Sequence, residues 1–459
     1  MGTSPGDRRR SPTALLGSTA LIKLPQLHQL ARRLPRSRIF RRISTLAGSV
    51  VLGQMVITAS SPLLTRLYTP AEFGAYAIIT ALVGVAGTIA SLRYEAAIPL
   101  LRADADAGNL ACLCIFLATT FSALCLIPIW LAGPWLARVA GTPSLQWLLW
   151  LAPAVVLALT ICQTLGYWYA RAGLFRESAL SQLIASCSQA ATQVGLGFAG
   201  LMASGLVMGY LAGQAVRVVQ LALTMPKADR RLFVSATRTE MLRQARVKWH
   251  YPAFSAPAGL LQATTQLLPA LLLAILYGPA VAGWFSLGQR LLGLPVRLLG
   301  QTTSVVLVGE LAQRDARGVY RLFRRASVTF LALGLVGMSP LIVAGPSLFA
   351  LVFGESWRMA GSMVQILVPI YVTRLMVAPV TKVLDVLGQQ RLHLISSSLD
   401  ATLLCIVFFS AWRFDLSPLV TLGFYSLGST SAYALYFFLT WMSAHRAAKA
   451  APPRETSAA

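Results

Sequence analysis

Leu67-Tyr68-Thr69-Pro70-Ala71-Glu72-Phe73-Gly74 recurs 209 residues later as Leu276-Tyr277-Gly278-Pro279-Ala280-Val281-Ala282-Gly283. Leu, Tyr, Pro, Ala and Gly coincide at five of the eight positions, and each copy joins two long apolar runs. Such runs, 18 to 25 residues each, recur from about residue 45 to residue 442. Each can cross an apolar layer about 30 Å thick at about 1.5 Å per helical residue. Backbone inside lipid must satisfy its own hydrogen bonds, which leaves helices or a closed barrel. Continuous rather than alternating apolar runs select helices. Twelve spans are read, at about 44–64, 73–94, 107–132, 147–169, 179–200, 203–225, 252–276, 283–308, 326–346, 359–381, 394–413 and 417–442. The two copies join spans 1 to 2 and 7 to 8. Six spans separate them, an even number, so both halves have the same orientation. The expected fold is an all-α polytopic membrane protein of about twelve transmembrane helices. They form two six-helix lobes related by a pseudo-two-fold axis along the membrane normal, a parallel repeat.

Composition and charge fit that reading. Only 12% of the 459 residues are charged, about half of what a soluble globular chain carries, and the mean hydropathy is +0.66. A net charge of +24 would suggest nucleic acid in a soluble chain, but its distribution follows the spans. With both termini cytoplasmic, and with Arg93 and Arg413 at span ends counted with the adjoining loops, the tails and even-numbered loops hold 31 of the 39 Lys and Arg, the odd-numbered loops four (Arg66, Arg138, Arg358, Arg413), and the spans four. This is the positive-inside bias, so no nucleic-acid partner is expected. The domain reading is a basic cytoplasmic arm over 1–43, an N-lobe over 44–225, a basic cytoplasmic connector over 226–251, a C-lobe over 252–442 and a cytoplasmic tail over 443–459. The arm holds ten basic residues and one acid and reads as disordered, as a surface arm on anionic lipid, or as the product of a misassigned start. Within the connector, the run from Met241 to Trp249 reads as a short amphipathic helix on the cytoplasmic surface. The six cysteines lie within spans without CxxC spacing, so neither a disulfide framework nor a metal site is expected. No cofactor is expected either.

A charge inside the membrane costs at least about 2.5–3.5 kcal/mol and so faces protein or a water-filled cavity. Arg217 in span 6, Arg290 and Arg297 in span 8, and Arg374 in span 10 qualify. Arg290 and Arg297 are two helical turns apart and project from nearly one face, with Pro295 between them; such a face suits phosphate. Arg217 is read as a ligand residue or as a snorkelling side chain, and Arg374 as a ligand residue or as the partner of Asp400. Asp400, the carboxylate deepest in a span, is read as a coupling site or as an arginine's partner. No histidine lies mid-membrane, so a histidine proton relay has no support. Gln182, Gln189 and Gln193 stripe span 5 near Ser186, and Gln262, Thr265 and Gln266 mark span 7; these residues join helices or meet sugar hydroxyls. Nothing forms a GxxxxGK[ST] phosphate loop, and no catalytic constellation is found.

Leu64 to Gly74 (LTRLYTPAEFG), followed by Ser91-Leu92-Arg93-Tyr94-Glu95, resembles the start of the oligosaccharide (O-antigen) flippase family. That family belongs to the superfamily that also holds multidrug exporters and lipid II flippases. Three further blocks resemble it: Tyr251 to Pro257 at the start of span 7, Gln289 to Pro295 with Leu298 to Gly300 in span 8, and Phe353 to Gly361 before span 10. The resemblance runs from about residue 45 to residue 395. The resemblance implies a central cavity lined by spans 1, 2, 7 and 8, with Arg66, Arg93, Glu95 and Arg290 at family positions. Arg297 stands where the family carries a small or hydroxyl residue. The implied function is translocation of an undecaprenyl-diphosphate-linked oligosaccharide across a bacterial inner membrane, with a polysaccharide polymerase and chain-length regulator as possible partners. No bond is broken, so an enzyme is not expected. The alternatives are a drug or cation exporter of the same superfamily, which would place acids in its cavity, and a non-transporting scaffold for polysaccharide assembly. A glycosyltransferase or polymerase would need catalytic acids and large periplasmic loops.

Overall fold

The computed structural model describes residues 48, 50–139, 145–311, 316–387 and 390–450. The arm expected over 1–43 lies outside them. Spans 1 to 6 are Val50–Leu67, Pro70–Ile89, Asp104–Trp135, Leu145–Ala172, Phe175–Phe198 and Met202–Thr224. Spans 7 to 12 are Ala256–Tyr277, Pro279–Leu311, Ala316–Phe353, Arg358–Leu387, Gln390–Phe414 and Pro418–Ala450. The described residues contain no strand. Several helices outrun the expected spans, because a helix need not stop where hydrocarbon does. Among the described residues, eight helices are long and apolar enough to cross a membrane. Spans 5, 8, 11 and 12 are not among these eight; span 5 is diluted by its Gln and Ser residues and span 8 by Arg290 and Arg297. The chain is a multi-pass α-helical membrane protein of two six-helix lobes in parallel repeat.

The repeated turn shows how the halves correspond. In the first copy Thr69 and Glu72 form a capping box: the Glu72 carboxylate accepts the Thr69 N–H at 2.6 Å, and the Thr69 hydroxyl accepts the Glu72 N–H at 3.4 Å. Pro70 then starts span 2, where its missing N–H is no loss. The second copy has Val281 in place of Glu72, and its cap position is Gly278 at φ +88°, a conformation glycine adopts freely. Tyr68 donates its hydroxyl to the Gln193 carbonyl of span 5 at 2.7 Å. Tyr277 donates to the Leu416 carbonyl just after span 11, also at 2.7 Å. Each tyrosine thus ties the first span of its lobe to the fifth.

The same turns join the lobes. A Cβ on Gly74 would run into the Pro279 carbonyl, and one on Gly283 into the Pro70 carbonyl. This reciprocal contact closes span 2 on span 8. Trp357, fully buried, reinforces it: its indole N–H donates to the Thr65 carbonyl at 3.1 Å, and Phe73 meets its ring edge-on at 5.0 Å. Within the N-lobe, span 6 presents Gly209 and Gly213 to span 5, where a Cβ would collide with Gln193 and Gln189. Small residues at this spacing let membrane helices approach closely.

The connector carries the helix expected over its second half and another before it. It forms two helices, Lys227–Val234 and Arg238–Val247, the second ending before Trp249. Both dock on the ends of spans 3 and 4. The Trp168 indole donates to Asp229 at 3.0 Å, the Thr237 N–H to Asn109 Oδ1 at 3.1 Å, and the Tyr94 hydroxyl to the Ala245 carbonyl at 3.1 Å. A single π-helical turn, Tyr251–Ser255, then leads into span 7.

Candidate functional site

Pro62 has no N–H to return to the Thr58 carbonyl, and span 1 breaks just before it, with Ser60 as the cap of its second segment, Ser61–Leu67. The Ile57 carbonyl at this break accepts three donors: the Ser60 hydroxyl at 2.8 Å, the Ser61 hydroxyl at 3.3 Å and Arg290 Nη2 of span 8 at 2.7 Å. A main-chain acceptor opened by one lobe is therefore held by a guanidinium of the other. Irregular backbone at membrane depth persists only where protein or a cavity satisfies it.

Tyr76 of span 2 lies within electrostatic reach of Arg290. Gln189 Nε2 approaches the Tyr76 hydroxyl at 3.5 Å, and the Tyr210 ring packs edge-on against Tyr76 at 6.3 Å. Of the glutamine stripe, Gln189 and Gln193 both reach Tyr76, and Gln193 Nε2 donates to the Leu206 carbonyl at 2.9 Å and holds spans 5 and 6 together. Gln182 gives its carbonyl to Ser186 at 3.0 Å. On span 7, Thr265 bonds back to its own helix at 2.7 Å, and Gln262 and Gln266 are exposed one turn apart.

The other sequence candidates fall in separate places. Arg297 is near enough to Arg290 to repel it, but its side chain folds back over Gly293, where a Cβ would stand 3.2 Å from Nη2, and faces Tyr371 of span 10. The shared face expected of the two arginines thus splits between two partners. Arg374 is sandwiched inside the C-lobe, its guanidinium 5.4 Å from the Tyr371 ring centre and 5.1 Å from that of Tyr433. Asp400 is buried and accepts the Ser429 hydroxyl at 2.7 Å; it acts on Arg374 through space, without an ion pair inside 4.0 Å. Arg217 lies against span 4, where a Cβ on Gly166 would be 3.9 Å from Nη2, and its buried Nε has no partner. Arg66 is exposed at the end of span 1. Arg93 and the preceding Leu92 take left-handed φ values of 62° and 52°, a strained pair for non-glycine residues. This turn buries Glu95, which accepts the Ser91 hydroxyl at 2.5 Å and pairs with Arg93 at 3.9 Å. The Arg93 Nε faces Gly259 of span 7.

The polarity of the interior follows. Among the described residues, ion pairs within 4.0 Å sit at helix ends, and none includes Arg217, Arg290, Arg297 or Arg374. The interior is rich in fixed donors and cations and poor in carboxylates. No group of three or more His, Cys, Asp or Glu side chains that could hold a metal occurs among the described residues. Tyr76 and the Ile57 carbonyl were not singled out from sequence. A tyrosine at membrane depth needs a partner for its hydroxyl, and that signal marks Tyr76, Tyr210, Tyr371, Tyr425 and Tyr433 alike.

A chain of this architecture has the two-lobe fold of the MOP superfamily of membrane transporters. It is similar to a multidrug resistance MATE family transporter of that superfamily solved in two states. The inward-facing form gives TM-score 0.56 at 15% identity, covering 94% of this chain and 99% of that one, and the outward-facing form gives 0.60 at 14%, covering 92% and 99%. A MOP superfamily transporter from Pyrococcus furiosus, described as having a binding pocket of reverse polarity that suggests a different function, gives 0.58 at 13%, covering 92% and 98%. At these identities the likeness is one of fold. No curated protein matches the chain. The chain belongs to the polysaccharide biosynthesis protein family, whose model matches residues 63–362.

Proposed function

We propose that the chain is a flippase that moves an undecaprenyl-diphosphate-linked oligosaccharide across the bacterial inner membrane by alternating access. It would serve O-antigen or exopolysaccharide assembly, with both termini in the cytoplasm. The observation that carries this reading is Arg290, a guanidinium between the lobes with no carboxylate partner, held on a main-chain carbonyl beside Tyr76 and Gln189. A diphosphate is a better acceptor than a neutral carbonyl, because both partners of the bond are then charged. Substrate would therefore take Arg290 from Ile57 and loosen one tie between the lobes. Arg297, exposed and two turns further along span 8, adds charge for a second phosphate, and Tyr76, Gln189, Gln262 and Gln266 offer hydrogen bonds to sugar. The polyprenyl tail stays in lipid while the head group passes between the lobes. Arg66, Arg93, Arg217 and Arg374 lie outside this cluster, as do Glu95 and Asp400. Of these, Arg93 is best placed to meet the head group early, at the join of spans 2 and 7. A cation exporter needs the opposite polarity.

The test is complementation of a flippase-deficient strain, scored by surface polysaccharide and normalised to membrane protein. Arg290→Ala should lose about 1.5–3 kcal/mol of charged hydrogen bonding, a drop of roughly 10- to 150-fold in turnover, with precursor held on the cytoplasmic side. Arg290→Lys should recover part of it, since lysine keeps the charge and loses the fork. Full activity of the Arg290→Glu, Arg297→Glu double variant would remove these residues from the mechanism. Efflux of a cationic dye by a chain that cannot restore surface polysaccharide would overturn the flippase reading.

A further inference from the structure

A slot of about 220 Å³ opens between spans 9, 10 and 12, outside the lobe interface and lined by Val328 and Leu331, Met376, and Phe437, Phe438 and Trp441. Its walls are apolar except at two points. Arg324 stands at its edge, and Ser327, one turn further in, is buried with no partner for its hydroxyl. Arg324 is not alone. The segment from Arg314 to Arg325 carries five arginines against one aspartate, and Arg321, Arg324 and Arg325 share a face at i, i+3 and i+4. All three are exposed, as is Arg446 on span 12, and no acid lies within 4.0 Å of them among the described residues. Aromatic side chains fix this end of the slot. The Trp441 indole donates to the Tyr320 hydroxyl at 3.2 Å, and His445 stacks on Trp441 at 5.4 Å. Tryptophan and tyrosine at such a position mark the membrane–water boundary.

We propose that this slot is a binding site for an anionic phospholipid of the adjoining leaflet. Charge and depth both fit that occupant. The phosphate meets Arg321, Arg324 and Arg325, and one acyl chain lies in the apolar slot. Ser327, about 4.5 Å deeper along the helix, donates its hydroxyl to a glycerol-ester carbonyl. Basic pockets between membrane helices at the cytoplasmic face bind acidic head groups on these principles. The inference does not depend on the cargo proposed above.

The experiment places the full chain in nanodiscs of dioleoylphosphatidylcholine with a minor fraction of dioleoylphosphatidylglycerol. The lipids that stay bound after detergent release are then counted by native mass spectrometry. The wild-type chain should retain phosphatidylglycerol in preference to phosphatidylcholine. The Arg321→Gln, Arg324→Gln, Arg325→Gln variant should lose that preference by at least about tenfold. Val328→Trp should displace the retained lipid while keeping every arginine, which separates a site from general attraction to a basic surface. Removal of the same charge from the connector, by Arg231→Gln, Arg238→Gln and Arg246→Gln, should leave retention intact. Unchanged retention in Val328→Trp overturns the site, and so does undecaprenyl phosphate outcompeting phosphatidylglycerol at equal mole fraction. Thermal unfolding in phosphatidylcholine alone verifies that each variant is folded; should the triple variant fail there, Val328→Trp decides the outcome.

Discussion

Gly74→Ala puts a methyl group onto the Pro279 carbonyl, and Gly283→Ala puts one onto the carbonyl of Pro70. In both cases the obstacle is backbone at the start of a helix, which cannot swing aside as a side-chain tip would. The lobes must part slightly at this end, at an overpacking cost of about 1–3 kcal/mol. That cost falls only on arrangements in which the two turns touch. A state with the turns apart therefore gains about 5- to 150-fold in relative population. The double variant should shift less than the sum of the two, because one separation relieves both clashes. Spin labels on cysteines at Phe198 and Phe414 report the movement. These are the ends of spans 5 and 11, each 70% exposed, and the six native cysteines are replaced first. Electron–electron resonance distances should lengthen in Gly74→Ala and Gly283→Ala. Gly195→Ala, where a Cβ meets nothing within 4 Å, should match the parent. A folded Gly74→Ala, Gly283→Ala protein with the parent's distance distribution would refute the claim that these turns hold the lobes together.

Three further outcomes are expected. Trp357→Ala removes a fully buried indole and its bond to Thr65, and should cost about 3–5 kcal/mol, measured as a lowered thermal midpoint in detergent; Trp357→Phe should lose only about 1 kcal/mol, the hydrogen bond. Asp229→Ala breaks the 3.0 Å bond from Trp168 and should speed hydrogen exchange across 227–247, while the spans exchange as before. Reporters fused within 226–251 or at the C-terminus should read cytoplasm, and those within 133–146 or 345–358 periplasm; a periplasmic signal from 226–251 would sink the proposed orientation.

Long apolar runs made the twelve helices legible, since hydropathy records directly which side chains tolerate lipid. The repeated turn was legible too, but as a marker of symmetry. That Pro70, Gly74, Pro279 and Gly283 also press the lobes together needed coordinates, because no one-dimensional pattern states which turn meets which. Among site residues, Arg290 stood out by its cost in the membrane. Its partner did not, because Ile57 contributes a carbonyl and any residue type would do. From sequence, Arg374 reads as a ligand residue or as the partner of Asp400; aromatic rings cradle it, and Asp400 acts on it from beyond 4.0 Å. Charge complementarity suggested the acid, and the sequence offers no comparable cue for a cation on a ring face. The connector was read from its amphipathic pattern alone, which cannot distinguish a helix lying on lipid from one docked on protein.

The docked connector sets a mechanical limit. Its second helix ends at Val247 and is bonded to the N-lobe, and span 7 begins at Ala256. Nine residue steps join the two, a leash of roughly 30 Å at full stretch. Part of it is already wound into the π-helical turn Tyr251–Ser255. However wide the other side of the bundle swings, the lobes can separate at this edge only by unwinding that turn. The motion open to them is a book opening on a short spine, and the spine's length caps how far the lobes can part on that side.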